Sequence, residues 1–117
     1  MPDPKSRKGL KPHWFQILLA LADRDLHGLE IMEDVSARTG GAVHLWPGML
    51  YGSLKSMLDE GLVVETDPPE RAQERGGRPR YYHLTDLGRT RVTEEARRLA
   101  SYVNAAKEKN LLQGSDA

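Results

Sequence analysis

Apolar residues recur at helical spacing in four segments of the chain, which are separated by turn residues. Residues 13–25 and 28–39 predict the first two helices, and the Gly40–Gly41 pair ends the second because glycine readily adopts the left-handed cap conformation. A third helix is predicted to begin at Pro47, whose missing N–H costs nothing in a first turn, and to end at Gly61. Its core face carries apolar side chains at helical spacing: Leu50, Leu54, Met57 and Leu58.

Two short strands and a long last helix complete the predicted elements. Residues 62–66 and 80–84 are rich in strand-forming residues, and the polar loop between them is too long for a tight hairpin. Thr85 is placed to cap a helix over residues 86–110, which would be about 38 Å long. Its apolar residues recur alternately every four and every three positions, a heptad seam typical of paired helices: Val92, Ala96, Leu99, Val103 and Ala106.

The order of these elements predicts the fold class and the domain organisation. Three helices, a strand, a long loop, a second strand and a last helix follow each other as in a winged helix-turn-helix. We therefore predict a mostly helical α+β protein with a two-stranded wing and a long C-terminal dimerisation helix. We expect a flexible basic arm over residues 1–11, the winged domain over 12–84, the helix over 85–112 and a disordered tail over 113–117.

Composition narrows the classes of protein to which the chain can belong. Its 117 residues fit one domain, and 38% hydrophobic with 29% charged residues fit neither a disordered chain nor a membrane protein. The longest apolar run, residues 17–22, is far shorter than the roughly 20 residues that span a bilayer. The basic first residues do not form a signal peptide, so we expect a cytoplasmic protein without a membrane partner. The absence of cysteine excludes disulfides, cysteine zinc sites and thiol catalysis.

The distribution of charge is more informative than its sum. With 17 basic and 17 acidic residues the net charge is zero, which taken alone argues against a nucleic-acid-binding protein. Residues 1–11 and 71–82, however, each sum to +3, whereas residues 13–46 and 62–70 each sum to −3. Two basic segments therefore lie on an otherwise neutral or acidic body.

The exposed face of the third helix and the loop arginines are the candidate DNA-binding groups. Small and hydroxyl residues with one lysine suit close approach to DNA, and arginines on a glycine-containing loop can bind phosphates or enter a narrow minor groove. An ordinary solvated helix face and a solvated linker are the alternative interpretations. The candidate set is Lys11, Pro47, Gly48, Met49, Tyr51, Gly52, Ser53, Lys55, Ser56, Arg75, Arg78 and Arg80.

Two runs of sequence resemble the PadR family of transcriptional regulators. Residues 46–63 are similar to the family pattern Pro-Gly-Thr-Leu-Tyr followed by Glu-Gly-Leu, and residues 77–89 are similar to the family wing, Gly-Arg-Pro-Arg followed by Tyr-Tyr and Leu-Thr. Leu26-His27-Gly28 resembles a further family segment, and Met49 replaces the common threonine. The resemblance, over roughly residues 12–110, implies a dimeric regulator that binds operator DNA. It implies that the regulator is usually a repressor and is in some members released by a small molecule.

The same resemblance implies dimerisation through the single C-terminal helix. The first helix is apolar over more of its surface than one core can cover, so we expect it to contribute to the interface with the seam. The predicted interface is Trp14, Phe15, Leu18, Val92, Ala96, Leu99, Val103 and Ala106. Trp14 and Phe15 could also line a site for a small hydrophobic effector, although plain interface packing is the simpler explanation.

Three alternatives are weighed against a DNA-binding regulator. A metal sensor would use the four histidines, which form no close pair: His13, His27, His44 and His83. An enzyme would need a nucleophile–base pair or facing carboxylates, and the sequence offers no catalytic set, so neither catalysis nor a cofactor is expected. A winged-helix module for protein–protein contacts without DNA binding is the serious alternative, because it agrees with the neutral charge.

Overall fold

The computed structural model describes residues 9–73 and 79–112. Their fold is α+β, with four main helices and a three-stranded antiparallel sheet. The elements in chain order are α1 (Pro12–Ala20), β1 (Leu26–His27), α2 (Gly28–Arg38), α3 (Pro47–Asp59), β2 (Val63–Thr66), β3 (Tyr81–Leu84) and α4 (Asp86–Glu108), with a single helical turn at Glu70–Gln73 between β2 and β3. The predicted winged helix-turn-helix is confirmed.

A capping box begins α2, two glycines end it, and a turn of the chain ends α1. The His27 side chain accepts from the Glu30 N–H while the Glu30 carboxylate accepts from the His27 N–H, a capping box that begins α2. Gly40 and Gly41 have φ of 61° and 82°, which confirms their predicted place at the end of α2. The prediction that the first helix continues to residue 25 is wrong, because the chain turns after Ala20 and leads into β1.

The wing is part of a larger sheet than the sequence predicts. The strand order is β1-β3-β2, and the predicted two-stranded wing is its β2–β3 pair, in which Val63 lies opposite Leu84 and Thr66 opposite Tyr81. The added strand, β1, places Leu26 opposite Tyr82. Tyr81 and Tyr82 are both buried although they are neighbours in β3, since this strand is central and packed on both faces.

One apolar core joins the helices to the sheet, and it includes residues that were predicted to lie at a dimer interface. Leu18 is wholly buried, and Trp14 and Val92 are nearly so, within a single chain. Leu18 has no surface left for a second copy, so that interface prediction is wrong, and Trp14 and Val92 keep only a small exposed surface. The remaining core includes Ile17, Leu26, Ile31, Val35, Leu50, Leu54, Met57, Leu62 and Val63.

The segment before α1 is fixed at its end. Leu10 belongs to the core, and its N–H donates to Glu95 Oε1 on α4 at 3.3 Å. The prediction of a flexible arm over residues 1–11 is therefore wrong at Leu10, and residues 1–8 lie outside the described part of the chain. The predicted tail over 113–117 also lies outside it.

The start of α4 is fixed to the sheet, and its second half is exposed. The Thr85 hydroxyl caps α4 by accepting from the Gly88 N–H and donates to the Gly61 carbonyl at 2.6 Å. Further along, Leu99 and Val103 are 39% and 44% exposed. An apolar stripe thus continues along α4 beyond the core of the single chain.

Candidate nucleic-acid interface

The exposed face of α3 consists mostly of uncharged residues. Leu50, Leu54 and Met57 are buried and fix the orientation of the helix. The opposite side exposes most of the predicted contact residues: Pro47, Gly48, Met49, Tyr51, Gly52, Lys55 and Ser56. The prediction for Ser53 is wrong, because this side chain is only 6% exposed on the flank that turns toward the core.

Two glycines leave the backbone of this face uncovered. A Cβ built on Gly48 or on Gly52 would have no neighbouring atom within 4 Å. Neither glycine is therefore required by packing within the described chain. A surface without side chains lets the backbone approach a partner closely, as α3 would do in a major groove.

Tyr51 joins α3 to the start of α2. Its phenol lies over Gly28 so closely that a Cβ at Gly28 would overlap the Tyr51 hydroxyl. Gly28 is consequently required for this contact. The Tyr51 side chain is still about half exposed, so one side of its ring faces solvent.

The wing contributes one predicted arginine to this surface. The Arg80 side chain is 75% exposed, and its Nη1 lies 3.6 Å from Glu65 Oε1 across the β2–β3 pair. The predicted contacts Arg75 and Arg78 lie outside the described residues. In the part of the wing that is described, Arg80 is the predicted cation that lies beside α3.

An ion-pair network attaches the wing loop to the beginning of α2. Arg71 Nη1 lies 2.6 Å from Glu30 Oε2, and Arg71 Nη2 donates to the Asp25 carbonyl at 3.2 Å. The guanidinium also lies 5.7 Å from the Tyr81 ring centre. Burial alone would raise the pKa of Glu30, but the hydrogen bonds from Arg71 and the His27 N–H hold that pKa below its usual value.

Lys11 is separate from the other predicted contacts. It follows Leu10, which lies beside Glu95 on α4, and its Nζ lies 5.5 Å from the Trp14 ring centre. Lys11 stays a predicted DNA contact, and in the described chain its Nζ lies over the Trp14 ring.

Each histidine has its own surroundings. His27 caps α2, His83 Nδ1 lies 2.7 Å from Asp25 Oδ1, and His44 meets the Trp46 ring edge-on at 4.5 Å. Burial, with a smaller contribution from Lys11, lowers the pKa of His13. Over residues 9–73 and 79–112 no group of three potential ligands is placed to hold a metal ion.

Sequence reasoning missed the residues that fix the wing. Glu30 and Arg71 are 41 positions apart, so no local pattern relates them. The only signal was the spacing of His27 and Glu30, which is that of a capping box. The pairing of Glu65 with Arg80 follows from the strand register and was likewise not predicted.

The fold and the exposed α3–wing surface define a winged-helix regulator, and comparison with known proteins gives its family. Residues 17–94 match the transcriptional regulator PadR-like family, and the chain belongs to that family. An uncharacterized 37.1 kDa protein in a transposon of Streptomyces fradiae is 37% identical over 84 residues, which are 72% of this chain and 22% of that protein. The chain thus spans less than a quarter of this relative.

Solved structures of PadR regulators share the fold. A PadR family regulator from Clostridium difficile is 24% identical with a TM-score of 0.67, over 81% of this chain and 94% of the other. Bacillus subtilis PadR, solved in complex with operator DNA, is 22% identical with a TM-score of 0.60, over 72% of this chain and 47% of that one. The family and these neighbours are transcriptional regulators, as the sequence resemblance predicted. No described helix is long and apolar enough to cross a membrane.

Proposed function

We propose that the protein is a homodimeric transcriptional repressor that binds double-stranded operator DNA. In this proposal α3 enters the major groove and the wing lies along the DNA backbone. The observation that carries it is the α3 face, where Gly48 and Gly52 leave the backbone open beside the exposed cation Lys55. The Bacillus subtilis relative, solved with operator DNA, supports the same use of the fold. Such a role places the protein in the cytoplasm, where its DNA is.

The experiment is selection of bound genomic fragments followed by footprinting on the strongest fragment. We expect protection of two symmetric half-sites about one helical turn, or a multiple of it, apart. The logarithm of the affinity should fall steeply with the logarithm of salt concentration as counterions are released. Protection of an isolated half-site by a monomer would contradict the model. Repeating the assay with a panel of small hydrophobic molecules tests release by an effector.

Dimerisation is proposed to use the exposed stripe of α4. Leu99, Val103 and the half-buried Ala106 lie on one side of this helix beyond the core, and a second copy would cover them. Ala96 lies on the same stripe, and half-buried Phe15 is the member of the predicted α1 contribution that is not enclosed in the core. Any hydrophobic effector site would therefore involve Phe15 rather than the enclosed Trp14 side chain.

The variant Leu99→Asp tests this interface because it places a charge within the stripe. We expect a monomer by light scattering and a large loss of operator affinity by gel shift. Asn104→Asp is the matched control, since it adds the same charge on another side of α4 and should leave the mass and the affinity unchanged. A Leu99→Asp protein that is dimeric and binds normally would show that the interface lies elsewhere.

A protein-binding module is the second candidate, and one observation favours it. Leu29 and Trp46 are 57% and 63% exposed near the α3 face, and large exposed apolar side chains are common at protein interfaces. Random duplex DNA distinguishes the two functions. A DNA-binding protein should bind it weakly with steep salt dependence, whereas a protein-binding module should not bind it at all.

A further inference from the structure

A cleft separates the exposed face of α3 from the wing. Its volume is about 490 Å³, and its walls come from the start of α2, from Tyr51 on α3, and from Arg80 and Tyr82 on the wing. The cleft therefore lies where the two proposed DNA-contacting elements meet. It adjoins the α3 face that would read the bases, and Tyr51 belongs to both.

One wall of the cleft presents a hydroxyl group with a fixed position. The Tyr51 phenol lies against Gly28, where the absence of a Cβ is what gives it room. None of the residues described in the structure forms a hydrogen bond with the Tyr51 hydroxyl, although its ring is held between α3 and α2. The hydroxyl is therefore a donor that is available to a ligand in the cleft.

The opposite wall presents a cation, Arg80, that is only loosely paired with a carboxylate. Burial raises the pKa of the neighbouring Tyr82, and the charge of Arg80 and a hydrogen bond from it oppose that rise. Arg80 Nη1 and Glu65 Oε1 are 3.6 Å apart, longer than a charge-assisted hydrogen bond, and both side chains are largely solvent-exposed. Ion pairs of this kind contribute little free energy. By contrast, Arg71 is held by Glu30 at 2.6 Å. The free-energy cost of replacing Glu65 by another anion at Arg80 is therefore small.

We propose that this cleft binds one phosphodiester group of the operator backbone, with Tyr51 and Arg80 as the donors and with Glu65 as the anion that the phosphate replaces at Arg80. The inference rests on the DNA binding proposed above and specifies one backbone contact within it. A phosphodiester accepts hydrogen bonds from tyrosine and arginine at once, and it carries the negative charge that Arg80 needs. Exposed Leu29, at the edge of the same cleft, offers apolar surface to the adjoining deoxyribose.

The three side chains should then have different signatures in DNA binding. Arg80→Ala should weaken binding and reduce the log–log salt slope by about 0.9, because one ionic contact is lost. Tyr51→Phe should weaken binding by about three- to tenfold without changing the slope, because it removes a hydrogen bond and no charge. Glu65→Gln should strengthen binding by about two- to fivefold, because Arg80 no longer has to leave a carboxylate.

Glu70→Gln is the matched control for Glu65→Gln. It removes the same charge from the loop that follows β2, at an exposed position. Its effect on affinity measures the general contribution of one negative charge in this region. The gain from Glu65→Gln should exceed that from Glu70→Gln, and the excess should vanish when Arg80 is alanine.

The decisive measurement is fluorescence anisotropy with operator duplexes in which single phosphates are replaced in turn by neutral methylphosphonates. One replacement in each half-site should weaken binding by the wild-type protein but not by the Tyr51→Phe/Arg80→Ala double variant. If every replacement affects the two proteins equally, or if the Glu65→Gln gain persists without Arg80, the phosphate site is overturned while DNA binding stands. If the wild-type protein binds no duplex at all, both the site and the proposed function are overturned.

Discussion

Replacing Gly52 by alanine should separate the stability of the protein from its DNA binding. Gly52 lies in the interior of α3, where glycine costs about 1 kcal/mol of helix stability relative to alanine. A Cβ at this position meets no atom within 4 Å, so the added methyl group causes no overlap in the free protein. Gly52→Ala should therefore raise the free energy of unfolding by about 0.5–1 kcal/mol.

The same methyl group should weaken operator binding. If α3 lies in the major groove with this face inward, the Cβ occupies space that the DNA needs, and overpacking of a close-fitting contact costs about 1–3 kcal/mol. That penalty corresponds to a loss of affinity of about five- to 150-fold. The two effects have opposite signs, so poor folding cannot account for the lost affinity.

Thermal unfolding and gel shift on the same samples measure the two effects. The melting temperature should rise by a few degrees, and protein concentration must be matched because the stability of a dimer depends on it. Lys55→Ala is a useful companion variant, since it should weaken DNA binding without stabilising the helix. A Gly52→Ala protein that is more stable and binds the operator as tightly as wild type would refute the placement of this face against DNA.

Three further predictions concern the scaffold that carries this surface. Gly88→Ala should destabilise the fold by about 1–3 kcal/mol in denaturant unfolding, because its Cβ would overlap the Leu62 carbonyl oxygen; an unchanged midpoint would mean that α4 can shift freely. Because the pKa of Glu30 is lowered in the folded protein, its carboxylate contributes fully to the free energy of unfolding above its usual pKa of about 4.5, and this contribution is lost as pH falls through the lowered value. Glu30→Gln should therefore flatten the acid limb of the stability–pH curve. An identical curve would contradict the pairing with Arg71. Lys11→Ala should reduce the log–log salt slope by about 0.9 in gel shifts, because one predicted phosphate contact is lost, and an unchanged slope would remove Lys11 from the interface.

The sequence predicted the elements that have their own periodicity and missed those that exist through tertiary contact. The third and fourth helices begin and end close to the predicted positions because Pro47, Gly61 and Thr85 are local signals. β1 has two residues and no strand pattern of its own, and it exists because β3 pairs with it. The first helix was predicted too long because Leu21 and Ala22 continue its apolar pattern. Instead, the turn is stabilised by distant groups such as Arg89, which donates to the Ala22 carbonyl at 2.9 Å.

The candidate site also has residues whose exposure the sequence predicts and residues whose burial depends on tertiary packing. Exposure of Gly48, Met49, Gly52 and Lys55 follows from the helical wheel, because Leu50, Leu54 and Met57 set the buried direction. Ser53 lies at the border of the wheel, and only the packing of the domain decides that it is buried. The excess of apolar residues on α1 predicts contact with a second subunit. Leu18 instead contacts a core to which the sheet and α4 also contribute, and no single helix reveals how much surface those elements cover.

The net charge of zero is compatible with DNA binding because the acidic residues pair closely with some cations and leave others without a close carboxylate. Arg38, Arg71 and Arg98 are each held by a carboxylate at 2.6–2.7 Å, so these arginines serve the fold. Arg80 has one loose carboxylate contact, with Glu65, beside a hydrogen bond to Tyr82, and Lys55 forms no ion pair with any described residue. The two cations next to the proposed groove therefore lose little when a phosphate or a base edge approaches. What determines the electrostatic attraction to DNA is which charges remain unpaired on this face, and a sum over the whole chain does not measure it.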